Sequence, residues 1–257
     1  KENLLIGKCN LDTAHYCSSA SENFSLRSKS KGMKKTAISI IIVNYRVKKE
    51  LFECISSILH SETKASFEII VVDNDEKTKI AKELKKLFPK VIYVKSKGNI
   101  GFGAGNNLGA RYAKGEFLFF LNPDTLVENG AIDYLYNFQK FRRNAGIVAP
   151  LLLNPEKKPY PLQGTSDLTP LNGIFALSFL NSIFPQNPIS KRYWLKDWDK
   201  KETQEVGVVP GSAFMISKKL FEQIGGFDES FFLYFEESDL CKRVKELGYK
   251  IFIIPKA

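Results

Sequence analysis

LFFLNPDTLVENG, residues 118–130, opens as a solid apolar run and stops abruptly at Asn122-Pro123-Asp124. With Phe117 in front, FLFFL (117–121) has the length and unbroken apolarity of a strand buried on both faces. In open α/β sheets ligands bind beyond the carboxyl ends of the strands, so a carboxylate at this tip stands where chemistry is expected.

The pattern repeats on both sides of that stretch. Upstream, ISIIIV (38–43) reads as a first strand, followed by a helix carrying Leu51, Cys54, Ile55, Ile58 and Leu59. EIIVV (68–72) is a second strand running into Asp73-Asn74-Asp75, and a helix with Ile80, Leu84, Leu87 and Phe88 ends at Pro89 before the third strand, VIYV (91–94). A glycine-rich SKGNIGFGAGNNLG and a helix through Arg111 lead back to 117–121. Downstream, a helix from about Gly130 to Phe141 and a strand GIVAP (146–150) follow. Short apolar runs alternating with helical spacing predict an α/β fold, a Rossmann-like, mostly parallel sheet with helices on both faces.

Residues 154–205 break the rhythm with several prolines, Trp194, Trp198 and the apolar LNGIFALSFLNSIF (171–184), which is too short to span a bilayer. Packing against its own domain and contact with a lipid-linked acceptor or a partner subunit are both open for it. Regularity returns with VGVVPGSAFMIS, a helix from Lys218, the turn GGFDESFF, a helix from about Glu236 to Leu247, and KIFIIP (250–255).

Composition bounds the function classes. A chain of 257 residues, 44% hydrophobic and 26% charged, is an ordinary globular one with a sizeable core. The net charge of +10 suits a phosphate-bearing small molecule, an anionic membrane surface or nucleic acid, and selects none of them. Nucleic acid is not expected, because the aromatics fall in apolar runs instead of interleaving with lysines. Cys9, Cys17, Cys54 and Cys241 have neither C-x-x-C spacing nor the density of a disulfide framework, which favours a reducing, cytoplasmic setting. Residues 1–32 lack a secretory core and read as an N-terminal extension, poorly ordered or non-native, with Met33 as a natural start.

Three strand ends carry polar clusters: Asn44-Tyr45, Asp73-Asn74-Asp75 and Asn122-Pro123-Asp124. Any one could be a turn; three converging on one crevice point to a ligand. Asp124 on a proline-stiffened turn suits a hard cation, Mg2+ or Mn2+, that shares its other positions with substrate phosphates. Gly103, Gly105 and Gly109 also fit a loose dinucleotide fingerprint, which keeps an NAD-dependent enzyme open, although two βα units precede them. Gly109 and Gly115 have a simpler role in helix–strand packing. Glu236, Glu237 and Asp239 crowd the first turn of a helix whose buried stripe is expected at Leu240, Val244 and Leu247. Acids there complement the helix dipole, and Asp239 has Arg243 four residues on. Glu237 lies one turn before Leu240 and Cys241 and should face the crevice.

VNY (43–45), VVDN (71–74), GNIGFGAGNN (98–107), FFLNPDT (119–125), PGSAFMIS (210–217) and GGFDESFFLYFEESDLCKRVKELGY (225–249) together resemble the family 2 inverting glycosyltransferases of the GT-A fold. The likeness runs from about Ile38 to Ala257 and is greatest to the rhamnosyltransferase-like branch. It implies a domain over 33–257, with a nucleotide-sugar-binding half (33–150) and an acceptor-binding half (151–257). Asp124 would hold the metal. Asn122 stands where the family's first acid contacts the ribose, Asp73 matches the acid that reads the base, and Asn44, Tyr45, Asn99, Gly101 and Asn106 complete the donor side. Gly211, Ser212, Glu236 and Asp239 fall on the acceptor side, with Glu237 as catalytic base, one methylene longer than the family's usual Asp. The family commonly places a histidine near the metal in a segment beyond Ala257, and neither His15 nor His60 replaces it by motif, so the acceptor half is expected to be truncated.

The resemblance implies transfer of a sugar, rhamnose as the leading case, from a nucleotide diphosphate-sugar to a glycan or lipid-linked acceptor in cell-surface polysaccharide biosynthesis. A peripheral contact with an anionic membrane at its inner face is a further expectation. The alternative in the same fold is a catalytically inactive nucleotide- or glycan-binding module.

Overall fold

In the computed structural model, which describes residues 4–6, 35–77, 79–184 and 187–257, the apolar runs become strands of one eight-stranded sheet. In chain order the first elements are β1 (Leu4–Ile6), β2 (Ile38–Asn44), α1 (Lys48–His60), β3 (Phe67–Asp73), α2 (Ala81–Leu87), β4 (Ile92–Lys95) and α3 (Phe102–Tyr112). β5 (Phe117–Leu121), β6 (Thr125–Val127), α4 (Ala131–Phe141), β7 (Ala145–Pro150) and β8 (Leu152–Leu153) follow. The remainder is α5 (Pro170–Leu177), α6 (Leu180–Ile183), α7 (Pro188–Tyr193), β9 (Gln204–Val206), β10 (Ala213–Ser217), α8 (Lys218–Gln223), α9 (Glu236–Glu246) and β11 (Lys250–Ile254).

The strand order is β4-β3-β2-β5-β10-β7-β11-β9. β4, β3, β2 and β5 are parallel neighbours and β11 is parallel to β7, while β10 runs antiparallel between β5 and β7 and β9 antiparallel to β11. A strand from late in the chain thus sits inside the earlier half, and the two halves share one sheet.

Alternation along each strand sends side chains to two separate cores. Ile38, Ile40 and Ile42 of β2 and Phe117, Phe119 and Leu121 of β5 meet Leu51, Cys54, Ile55 and Ile58 of α1 and Ile132 and Leu135 of α4. Ile41, Leu118 and Phe120 face the other way, against Ala110 of α3, Leu220 and Phe221 of α8 and Leu240, Cys241 and Val244 of α9. Within that second core Phe120 packs on Phe214, Phe221 and Phe227 with ring centroids 5.1–5.2 Å apart. Such pairs contribute about 0.5–1.5 kcal/mol each beyond area burial, and here they pin the GGFD turn to the sheet.

Three departures from the sequence reading stand out. Leu247 is exposed at the carboxyl cap of α9, and Cys241 takes its place in the buried stripe, because the helix ends at Glu246 and a residue at the cap has left the buried face. Among the described residues, 154–205 hold three helices, two of which begin with a Thr-Pro or Asn-Pro pair in which Thr169 caps Asn172 N and Asn187 caps Ser190 N. Part of the expected extension, Leu4–Ile6, forms a strand between β6 and β8. The rest of that extension, His15 included, lies outside the described residues.

Candidate active site

The carboxyl ends of β2, β3 and β5 lie side by side, which brings Asn44, Asp73 and the Asn122-Pro123-Asp124 turn to one edge of the sheet. Because β10 is antiparallel, its amino end is at the same edge, and Asn122 N donates to Ser212 O at 2.8 Å. Gly211 is next to it, and a Cβ there would stand 3.8 Å from Cγ, Cδ and Oε2 of Glu237. Asn122, Ser212, Gly211 and Glu237 therefore form one continuous lip.

The turn after β5 is stiff. Thr125 N donates to Asn122 O at 3.2 Å, closing a β-turn with Pro123 at its second position. Val127 N donates to Ser57 Oγ at 2.9 Å, tying the following strand to α1. Asp124 is half-buried, and its Oδ1 is buried without a hydrogen-bond partner. An unmet carboxylate oxygen on a rigid turn fits a hard cation. Among the described residues no cluster of three His, Cys, Asp or Glu surrounds it, so the fit is to a cation completed by substrate oxygens. Burial, with the Asp124 charge nearby, pushes the Cys54 thiol upward and keeps it inert behind the turn.

Asp73 is the opposite case. Its Oδ1 accepts from Asn44 Nδ2 at 2.9 Å and Asp75 N at 3.2 Å, and its Oδ2 from Tyr93 OH at 2.7 Å and Lys95 Nζ at 3.1 Å. Tyr93 and Lys95 carry no motif in the sequence. Register could have found them, since Asp73 pairs with Lys95 across β3 and β4, and Tyr93 projects to the same face. Tyr45 is exposed beside this cluster, with the Arg46 guanidinium 4.8 Å over its ring.

The glycine stretch closes the other side. Gly101 has φ 87°, and a Cβ on it would be 2.6 Å from Phe232 O, so only glycine fits. Asn74 Nδ2 donates to Gly101 O at 2.9 Å, and Asn99 Oδ1 accepts from Gly101 N at 3.3 Å. Asn106 is buried and its amide donates to Phe102 O at 3.1 Å, committed to its own helix. A Cβ on Gly103, Gly105 or Gly109 would stand 3.2 Å from Phe227, 2.9 Å from Val43 and 2.5 Å from Ile41 respectively. All three lie within α3, and close packing of that helix accounts for each of them.

α9 presents its acids at the crevice after two non-glycine residues in the left-handed region, Tyr234 at φ 71° and Phe235 at φ 68°. That conformation costs on the order of 1 kcal/mol per residue and was invisible in the sequence. Asp239 pairs with Arg243 at 2.6 Å, and Arg243 also donates to Ile224 O and Gly226 O. Glu236 is buried and its Oε2 has no hydrogen-bond partner. Burial raises its carboxyl pKa; Glu237 is half-buried and raised too, by burial first and then by the neighbouring Glu236 charge. A carboxylate with a raised pKa is a stronger base near neutrality.

A family model described as glycosyl transferase family 2 matches residues 39–225, and one described as the N-terminal domain of galactosyltransferase matches 202–257. A low-salt glycan biosynthesis hexosyltransferase of Haloferax volcanii is 32% identical over 83% of this chain; the chain spans 63% of that relative's length. An N-acetylglucosaminyl-diphospho-decaprenol L-rhamnosyltransferase of Mycobacterium tuberculosis is 25% identical over 86% of this chain and 74% of its own. The crystal structure of GalNAc-T7 with UDP, GalNAc and Mn2+ shares the fold at TM-score 0.63 and 16% identity, over 88% of this chain and 43% of that one. A Pyrobaculum calidifontis mannosyltransferase in complex with GDP-Man and Mn2+ shares it at TM-score 0.55 and 17% identity, over 87% and 56%.

Proposed function

The chain belongs to glycosyl transferase family 2, in its rhamnosyltransferase-like branch, and from that premise we propose a metal-assisted inverting transfer. The donor is a nucleotide diphosphate-sugar, rhamnose in the first instance, and the acceptor a glycan or lipid-linked glycan. The observation that carries the reading is the shared lip: Asn122 N to Ser212 O at 2.8 Å sets the unmet Asp124 carboxylate and the Glu237 carboxylate around one crevice.

Glu237 takes the proton from the acceptor hydroxyl, its basicity raised by burial and by Glu236. The freed oxygen forms a bond to the anomeric carbon as the bond to the diphosphate breaks, which inverts that centre without an enzyme-bound intermediate. A divalent cation on Asp124 would supply charge neutralisation for the departing diphosphate. Asp73 serves the nucleotide through what it holds, keeping Asn44 and the Tyr93–Lys95 pair in place while Tyr45 remains open to stack on a base. Asn99 and Gly101 shape the donor side, Asn122 faces the ribose, and Asn106 supports α3 behind them. Gly211, Ser212, Glu236 and Asp239 shape the acceptor side.

A panel of nucleotide diphosphate-sugars with Mg2+ or Mn2+ tests this directly. The true donor should raise the melting temperature by about 5–10 °C at a hundredfold excess over its Kd and release nucleoside diphosphate on acceptor addition. Protection without turnover would favour a binding module; no protection by any donor would overturn the reading.

A further inference from the structure

From Leu168 to Ser190 the chain has no Asp, Glu, Lys or Arg. Its helices do not bury this apolar surface. Within α5 only Ala176 is buried, while Leu171, Ile174 and Leu177 face outward, and Phe179, Ile183 and Phe184 continue the exposed face, Phe179 at 72%. These six exposed apolar side chains in a stretch without a single charge mark a contact surface.

The residues flanking the patch are tied to the rest of the fold. Thr165 bridges Val208, Ser166 N donates to Tyr193 O at 2.9 Å, and Ser190 Oγ donates to Phe175 O at 2.7 Å, so α7 packs against α5. That helix carries Lys191 and Arg192, neither in an ion pair with a described residue, so two cations border the uncharged surface. Asp167, at the root of the patch, pairs with Lys245 of α9, the helix that bears Glu237.

We propose that this patch docks on an anionic lipid bilayer, with the apolar face of α5 and the side chains of Phe179, Ile183 and Phe184 in the interface and Lys191 and Arg192 on lipid phosphates. α5 is eight residues long, far short of a span, so it lies in the interface plane. Charge complementarity selects the bilayer over a second copy of this chain, which would bring its own Lys191 and Arg192 to the same contact. The consequence for catalysis rests on the transfer reading above: docking holds the mouth of α9 near the membrane, where a lipid-linked acceptor presents its sugar.

Co-sedimentation of the full chain with phosphatidylcholine vesicles, with and without 30% phosphatidylglycerol (roughly the charge of an anionic leaflet), tests docking without any glycosyl transfer. Binding should require the anionic lipid and weaken at high salt. Lys191→Glu with Arg192→Glu should weaken it at least about 30-fold, at roughly fivefold per cation. Phe179→Ser with Ile183→Ser should abolish it at unchanged melting temperature. Equal binding to neutral vesicles, no binding to either, or insensitivity to the charge reversal would overturn the proposal. A concentration-dependent dimer broken by Phe179→Ser, without vesicle binding, would assign the patch to a second copy instead.

Discussion

Asp73 and Glu236 are both buried carboxylates at the rim of the same crevice, and they differ in company. Asp73 has a hydrogen bond from each of Asn44, Asp75, Tyr93 and Lys95. Glu236 leaves an oxygen without a partner, as does Asp124 across the lip. A saturated carboxylate is part of the scaffold, because its charge is already answered inside the protein. An unmet one carries a desolvation cost that a cation or donor group reaching it would relieve.

That contrast breaks first at Asp73. Asp73→Ala should destabilise the fold by about 3 kcal/mol, since Asn44, the Asp75 amide and Tyr93 lose their shared acceptor, while Lys95 keeps the Asp75 carbonyl and solvent. Chemical denaturation measures it, and a change below about 1 kcal/mol would mean the network is ornamental. Glu237→Gln should reverse the pattern, with stability retained, donor affinity intact and transfer slowed at least about a hundredfold. If Asp239→Asn is the inactive variant instead, the base belongs one residue pair further along α9. Asp124→Ala should abolish the cation dependence of donor binding while leaving the fold intact, read by calorimetry with and without Mn2+. Equal donor affinity under both conditions in the parent protein would remove the cation from Asp124.

Glu236 itself should show the smallest effect. Burial raises the folded-state pKa of Glu236, so its ionisation opposes folding and stability falls as pH rises through the carboxyl range. Glu236→Gln should therefore melt higher than the parent at neutral pH, with the gap shrinking as pH falls and the parent carboxyl protonates. A gap independent of pH would show that the buried oxygen carries no charge cost.

The scaffold was legible wherever the periodicity was clean. β5 has the limits expected for it, Phe117–Leu121, because five consecutive apolar residues bounded by Glu116 and Asn122 leave no other register. The polar tips were legible for the same reason. Less visible was the state of each tip: that Asp73 is saturated depends on the register of β4, which fixes Tyr93 and Lys95 through long-range pairing. The entry of α9 depends on the left-handed pair Tyr234 and Phe235, residue types that give no local hint of it. In 154–205 the Thr169-Pro170 and Asn187-Pro188 starts were present as capping signals, but exposed apolar residues obscured the helical periodicity that normally accompanies them.

The antiparallel β10 between β5 and β7 also constrains assembly. In a chain emerging from its amino end, β5 and β7 are complete while the strand that joins them is still about sixty residues away, so each shows an open edge. Pairing of those edges with each other would exclude β10, and with it the Ser212 carbonyl that meets Asn122. A nascent chain arrested before Gly211 should accordingly aggregate or bind holdase chaperones, and one arrested after Ser217 and cleared of the exit tunnel should do so far less. The crevice is thus assembled late, by the closing of a gap left in the middle of the sheet.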